Sequence, residues 1–252
     1  MSWLEYVLVF GAGVAAGVIN ALAGGGTLIT FPALLALGLP AVSANVTNKI
    51  AIMPGFFGAA LAQLKDLKGQ EKRLAFAIPA SAAAGLLGGW LLIFSGESVF
   101  KEQVPFFILA AAVLLGIQDT VRDWLLRRAG ADHVRLSDVW IILPVGIACT
   151  YAGYFGAGAG VIILALIGLV LDDTMTRLNA IKLVVSLVSS LTASIFFMFT
   201  GHINWPAALL MMAGSLAGGL FGGRLADAVN PLVLRRIVVV VGVVLAVVYF
   251  VK

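Results

Sequence analysis

Apolar stretches about twenty residues long succeed one another along nearly the whole chain, from 3–22 to 232–251, and most charged residues gather in the gaps or at the ends of these stretches. A helix of roughly 20 such residues spans the hydrocarbon core of a bilayer. Only 11% of the 252 residues are charged, where a soluble domain carries about 25%. That supply cannot keep a surface wet, so the remaining apolar surface must face lipid, the solvent that does not penalise it. The chain therefore reads as an all-α, multi-pass integral membrane protein of the cell inner membrane, with the lipid bilayer as its partner. The net charge of +4 does not point to nucleic acid. Its basic residues sit in short loops, where positive-inside bias accounts for them. The first run is kept as a membrane helix. Ala21-Leu22-Ala23 resembles a cleavage site, but the first residues, where a signal peptide is basic, carry Glu5 and no Lys or Arg.

The punctuation of these runs repeats. Trp3 to Leu22 ends at Gly24-Gly25-Gly26, a short segment covers 27–37, and Gly38-Leu39-Pro40 closes it. Long runs follow at 43–64, 74–94 and 104–121. In the second half Asp138 to Phe155 ends at Gly156-Ala157-Gly158-Ala159-Gly160, and a short segment covers 161–171. Long runs follow again, at 176–200, 205–226 and 232–251. A shift of about 133 positions superposes Gly13 on Gly146, Gly25 on Gly158, Lys49 on Lys182 and Gly85 on Gly218. The pattern is an internal duplication within a single transmembrane domain: a first repeat at 1–121, a polar linker at 122–137 and a second repeat at 138–252.

Loop charges orient the halves. Lys65, Lys68, Lys72 and Arg73 outweigh Asp66 and Glu71 and place that loop in the cytoplasm, so the 95–103 loop is external. The linker, with Arg122, Arg127, Arg128 and Arg135, is cytoplasmic again. In the second half Gly201-His202-Ile203-Asn204 lacks Lys and Arg and reads as external, while 224–236 holds three arginines and reads as cytoplasmic. Corresponding loops lie on opposite faces, so the expected fold is two inverted-topology repeats, each a glycine-broken helical hairpin plus three transmembrane helices. The glycine tips of the hairpins, 3–37 and 139–171, are expected to dip into the membrane and approach one another.

Inverted repeats with short, glycine-interrupted helices at equivalent places point to a transporter site. A helix that starts after a glycine run offers free N–H groups and a positive dipole end. That makes Gly24, Gly25, Gly26 and Thr27 candidates in the first half, and Gly156, Gly158 and Gly160 in the second. The stronger signal is charge. All twelve acidic residues fall in expected loops or at helix ends, whereas Lys49 and Lys182 lie inside the long helices that follow the short ones. Polar neighbours accompany them: Asn45, Thr47 and Asn48 in the first half, Asn179 in the second. An ammonium group at the centre of a membrane helix costs about 2.5–3.5 kcal/mol on the insertion scale. With no carboxylate at that depth, a small anionic substrate is the natural counter-charge. Snorkelling is the alternative, since each lysine lies within two turns of a helix start; the anion is favoured over it for either lysine and most of all for the symmetric pair.

Other motifs carry less. Gly11-Ala12-Gly13-Val14-Ala15-Ala16-Gly17 lacks the strand and downstream acid of a dinucleotide fingerprint and reads as a helix-contact face. No cofactor, metal or catalytic residue is expected. Ser215 after Gly214 leaves an intramembrane enzyme as a rival, without a histidine placed to activate it. A passive anion channel is the other rival. His133 reads as solvated in the linker and His202 as external. The five tryptophans cluster at span ends, as interfacial anchors do.

The stretch Gly17-Val18-Ile19-Asn20-Ala21-Leu22-Ala23-Gly24-Gly25-Gly26-Thr27, continuing to Phe31-Pro32-Ala33-Leu34, resembles the TauE/SafE sulfite exporter family. The Asn45–Lys49 cluster and the glycine-rich start of the second half resemble it too. The resemblance implies export of a sulfur-containing anion, sulfite or an organosulfonate. The second glycine cluster differs from the first, and Asn48 has Ile181 as its counterpart. The two half-sites are therefore expected to contact an anion differently.

Overall fold

The computed structural model describes residues 3–22, 25–128, 137–224 and 231–251. Among these, every regular element is a helix: α1 (Trp3–Leu22), α2 (Thr27–Ala36), α3 (Ala41–Ala62), α4 (Glu71–Gly116), α5 (Gln118–Arg128), α6 (Ile142–Tyr154), α7 (Ala159–Val170), α8 (Met175–Met198), α9 (Trp205–Arg224) and α10 (Pro231–Val251), with short 3₁₀ turns at Leu64–Leu67 and Asp138–Ile141. By length and composition α1, α4, α8 and α10 can cross a membrane. At 10 and 12 residues, α2 and α7 cannot. Leu4, Leu8, Phe94, Leu209, Val240 and Val244, all at least half exposed, point outward from a multi-pass bundle. Trp3, Trp90, Trp124, Trp140 and Trp205 are exposed as well.

Two expectations need correction. The external loop at 95–103 shrinks to one residue. Gly96, at φ 75° and ψ 174°, breaks α4 with a kink, and the helix resumes at once. Only glycine takes that backbone without strain. The break also gives Glu97 a task. Its carboxylate accepts from the N–H groups of Ala41 and Val42, capping an α3 start that has no cap of its own. The linker is likewise more structured than its composition suggests. Helix α5 takes up its first part, with Leu125 buried against Gly168 of α7. The rest of the linker, including His133 and Arg135, lies outside the described residues.

Bare backbones join the helices. A Cβ on Gly13 would lie 2.5 Å from the Met211 carbonyl oxygen, and one on Gly17 2.2 Å from that of Ser215. From the facing side, Gly214 and Gly218 would meet the Phe10 and Val14 carbonyls at 2.4 and 2.0 Å. Thus α1 packs on α9 along a strip of glycine, as the small-residue spacing of 11–17 leads one to expect. The second hairpin does the same elsewhere. Gly153 and Thr150 of α6 press on Gly85 and Gly88 in the arm of α4 before Gly96. Helix α3 lies between, touching α8 and α9. The buried core centres on Phe31 of α2, Phe100 of α4 and Phe155 after α6. Phe31 meets Phe155 edge-on at 5.2 Å, and Phe107 stacks on Phe155 at 5.1 Å. Such pairs are worth about 0.5–1.5 kcal/mol each beyond their burial, and here they clamp the two hairpins together.

Candidate anion site

The two glycine breaks converge. Gly25, at φ +92°, packs on Leu115, and Gly158, at φ +73°, packs on Ala111 and Leu114. Both tips thus abut one turn of the α4 arm that follows Gly96. Beside them lies a cavity of about 40 Å³ walled by α2, α3, α7, α8 and the end of α6. Asn48, Lys49, Ile52 and Phe56 of α3 face it, at the i, i+1, i+4 and i+8 places of one helical face. Thr27 enters from the start of α2, and Gly156, Ala159 and Gly160 from the start of α7.

Lys49 is 4% exposed, and its Nζ donates to the carbonyl oxygen of Ala152. Among the described residues no carboxylate reaches salt-bridge distance of it; the ion pairs there join Arg73, Arg177 and Arg235 to aspartates. Gly156, at φ +91°, leaves the space the ammonium uses, since a Cβ there would lie 3.2 Å from Nζ. Asn48 is 1% exposed and its Oδ1 has no hydrogen-bond partner. One turn earlier, Asn45 donates through Nδ2 to the Tyr154 carbonyl at 2.7 Å, tying α3 to the second tip. Its Oδ1 is unpartnered too.

Not every expected residue reaches the cavity. Gly24 lies outside the described residues. The Gly26 N–H is given to Asn20 Oδ1 at 2.8 Å, so it is not held open for an anion. Asn179 donates to Gln63 Oε1 at 2.9 Å, away from the cavity wall. Lys182 is half-buried beside Gly160, its Cδ 3.9 Å from where a Cβ would stand, but it does not line the cavity. Thr47 faces elsewhere and accepts from the Asn204 N–H at 3.0 Å. Ser215 donates to the carbonyls of Ala51 and Met212, as a helix-packing hydroxyl does.

Sequence reasoning missed two polar lining residues, Ser186 and Ser190 of α8. A signal was there: with Lys182 they form a polar row at four-residue spacing, one face of one helix. The site thus joins one buried cation to amide and hydroxyl groups in apolar walls. That is the chemistry of a small-anion site.

The Sulfite exporter TauE/SafE family model matches residues 9–249, nearly the whole chain. The chain belongs to the TauE/SafE family. Similar proteins are named as transporters without a substrate. A "Probable membrane transporter protein" of Haemophilus influenzae is 30% identical over 92% of this chain and 89% of its own length. "Probable membrane transporter protein ORF9" of Sinorhizobium sp is 29% identical over 94% and 89%. "Probable membrane transporter protein YfcA" of Escherichia coli K12 is 23% identical over 95% and 87%. No solved structure matches. Within the TauE/SafE chain described here, the resembling stretch 17–34 provides Asn20, which fixes Gly26, Thr27 at the cavity and Phe31 in the aromatic clamp.

Proposed function

We propose that this TauE/SafE protein is a carrier for a small sulfur-containing anion, sulfite or an organosulfonate, and that it exports this anion by alternating access. One observation carries the reading: the buried ammonium of Lys49 faces a cavity with no carboxylate to answer it. A bound monoanion supplies the missing charge. At about 4 Å and an effective dielectric near 20 the attraction is about 4 kcal/mol, which matches the cost of the lysine at that depth. The family's description supplies the sulfur chemistry.

The exchange of packing partners supports inverted repeats, 1–121 and 138–252, joined by a cytoplasmic linker at 122–137. The first hairpin leans on a helix of the second half and the second hairpin on a helix of the first, while α3 meets α8 between them. Rocking one such unit against the other would alternate access to a cavity near the midplane. In that cycle Lys49 supplies charge, Asn48, Thr27, Ser186 and Ser190 supply hydrogen bonds, and Asn45 fixes the second tip. Lys182, one turn before Ser186 and nearer the cytoplasmic end of α8, draws the anion in. No deep carboxylate lines the cavity to relay a proton. The anion therefore runs down its own gradient or carries its proton with it.

The test is sulfite efflux from proteoliposomes. Saturable flux that disappears in Lys49→Ala and falls only several-fold in Lys182→Ala is the expected result. Full flux in Lys49→Ala would remove the site. Absence of sulfite flux in the unmodified protein would redirect the same assay to organosulfonates, and bilayer currents far above carrier turnover would mark a channel.

A further inference from the structure

We infer that the site takes sulfite, rather than an organosulfonate, in its protonated, singly charged form, and that Asn48 is the residue that reads the proton. The inference rests on the anion-carrier reading above and adds the form of the substrate. It begins with donors and acceptors. Lys49, Thr27, Ser186 and Ser190 can all donate, and an oxyanion accepts. Asn48 Oδ1 can only accept, is buried, and meets no donor of the protein. A buried acceptor left unmet costs about 1–3 kcal/mol. A fully deprotonated oxyanion presents only lone pairs and would leave Oδ1 without a donor. A protonated monoanion gives Oδ1 a hydrogen bond and Lys49 its counter-charge at once.

Charge and size agree with that choice. The cavity is faced by one cationic side chain, and its volume of about 40 Å³ corresponds to a few non-hydrogen atoms. The other titratable groups around Lys49 and Asn48 are few. From α6 there are the buried Cys149 thiol and Tyr151, whose hydroxyl donates to the Ala157 carbonyl at 2.7 Å. From α8 there is Lys182, beside the wall but not in it. The described parts of α2, α7 and α9 that meet this region carry no Asp, Glu, Lys, Arg or His. The proton that matters is the one on the substrate.

The experiment measures initial sulfite efflux from proteoliposomes while the pH of the loaded side is stepped through the dissociation of hydrogensulfite to sulfite. The half-saturating concentration should stay constant when expressed as monoanion. Constancy when expressed as dianion would overturn the inference and leave the carrier reading intact. Lys49→Arg, whose guanidinium stays charged throughout, should keep the same profile; a flattened profile would assign the pH dependence to the lysine and also overturn it. Asn48→Leu should raise the half-saturating monoanion concentration roughly ten- to a hundredfold, the value of a hydrogen bond to a charged group. It should also make nitrate, a monoanion with no proton to donate, a relatively stronger competitor; unchanged nitrate competition counts against Asn48. If the unmodified protein shows no saturable sulfite flux at any pH, this inference falls, while saturable organosulfonate flux in the same assay would leave the carrier reading standing.

Discussion

Lys49 is held by one carbonyl, that of Ala152, and otherwise by space that Gly156 leaves open. A charge kept under those terms works against folding, because its burial is offset by a single hydrogen bond. Lys49→Met, similar in length and without charge, is therefore expected to melt at a higher temperature in detergent, by the equivalent of about 1–2 kcal/mol, while losing saturable anion flux. Thermal unfolding followed beside efflux decides this, and a lower melting temperature would show that the lysine is structural. Lys182→Met should change the melting temperature little and lower the flux only several-fold, since Lys182 is half-buried and outside the cavity wall. The two lysines share a sequence position within their repeats, yet only Lys49 lines the cavity. Nothing in the periodicity of either helix distinguishes them. The difference arises from Ala152 and Gly156, which approach Lys49 from a segment about a hundred residues away in the chain.

At the scale of elements, the hairpins are seated by missing side chains. Between α1 and α9, Gly17 and Gly218 each leave room for a facing carbonyl, at 2.2 and 2.0 Å from a would-be Cβ, distances no side chain tolerates. Gly11 and Gly219 lie in the same helices with nothing within 4 Å. Gly17→Val and Gly218→Val should each cost about 1–3 kcal/mol or more through overpacking, visible as loss of the monodisperse peak or a lower melting temperature in detergent. Gly11→Val and Gly219→Val should be nearly neutral, and equal effects from both pairs would contradict the packing described. The sequence spacing of small residues marked this face. It did not name the partner, because a bare strip fits any other bare strip until the whole bundle is assembled. The same is true of Glu97, which reads as one acid of an external loop and in the fold caps α3 through two N–H groups.

For the whole molecule, one set of helix ends is tied by charge. Arg73 pairs with Asp138 and Asp173, Arg177 pairs with Asp173 and donates to the Lys68 carbonyl, and so the start of α4 is joined to the elements flanking α6, α7 and α8. Burial pushes the Asp173 carboxyl up, but hydrogen bonds from Arg73, the Thr174 N–H and Arg177 outweigh it and hold it below the usual carboxylate range. A depressed value means that its stabilisation is complete above the unfolded value, near pH 4, and is lost as the pH falls through the folded one. Melting temperature should therefore drop on acidification below about pH 4, and Asp173→Asn should melt lower at neutral pH with a flatter acid limb. If the curves of the unmodified protein and of Asp173→Asn coincide, the tie contributes nothing. Topology has its own check. In a Cys149→Ala background, Lys68→Cys and His202→Cys should be labelled by an impermeant reagent from opposite sides of the membrane; labelling from one side would end the inverted arrangement.

What the chain declares locally is its solvent, its helices, its two glycine breaks and the presence of a buried cation. Each follows from composition or from a pattern within one helix turn or one span, where lipid and backbone hydrogen bonding leave few choices. The tertiary structure alone decided that Ser186 and Ser190 share a cavity with Lys49, that Asn179 turns to Gln63, that the Gly26 N–H is taken by Asn20 and that Asn48 keeps an unmet oxygen. Those outcomes depend on which helix faces which, and side-chain partners from distant segments are set only when the two hairpins close on α3 and α8.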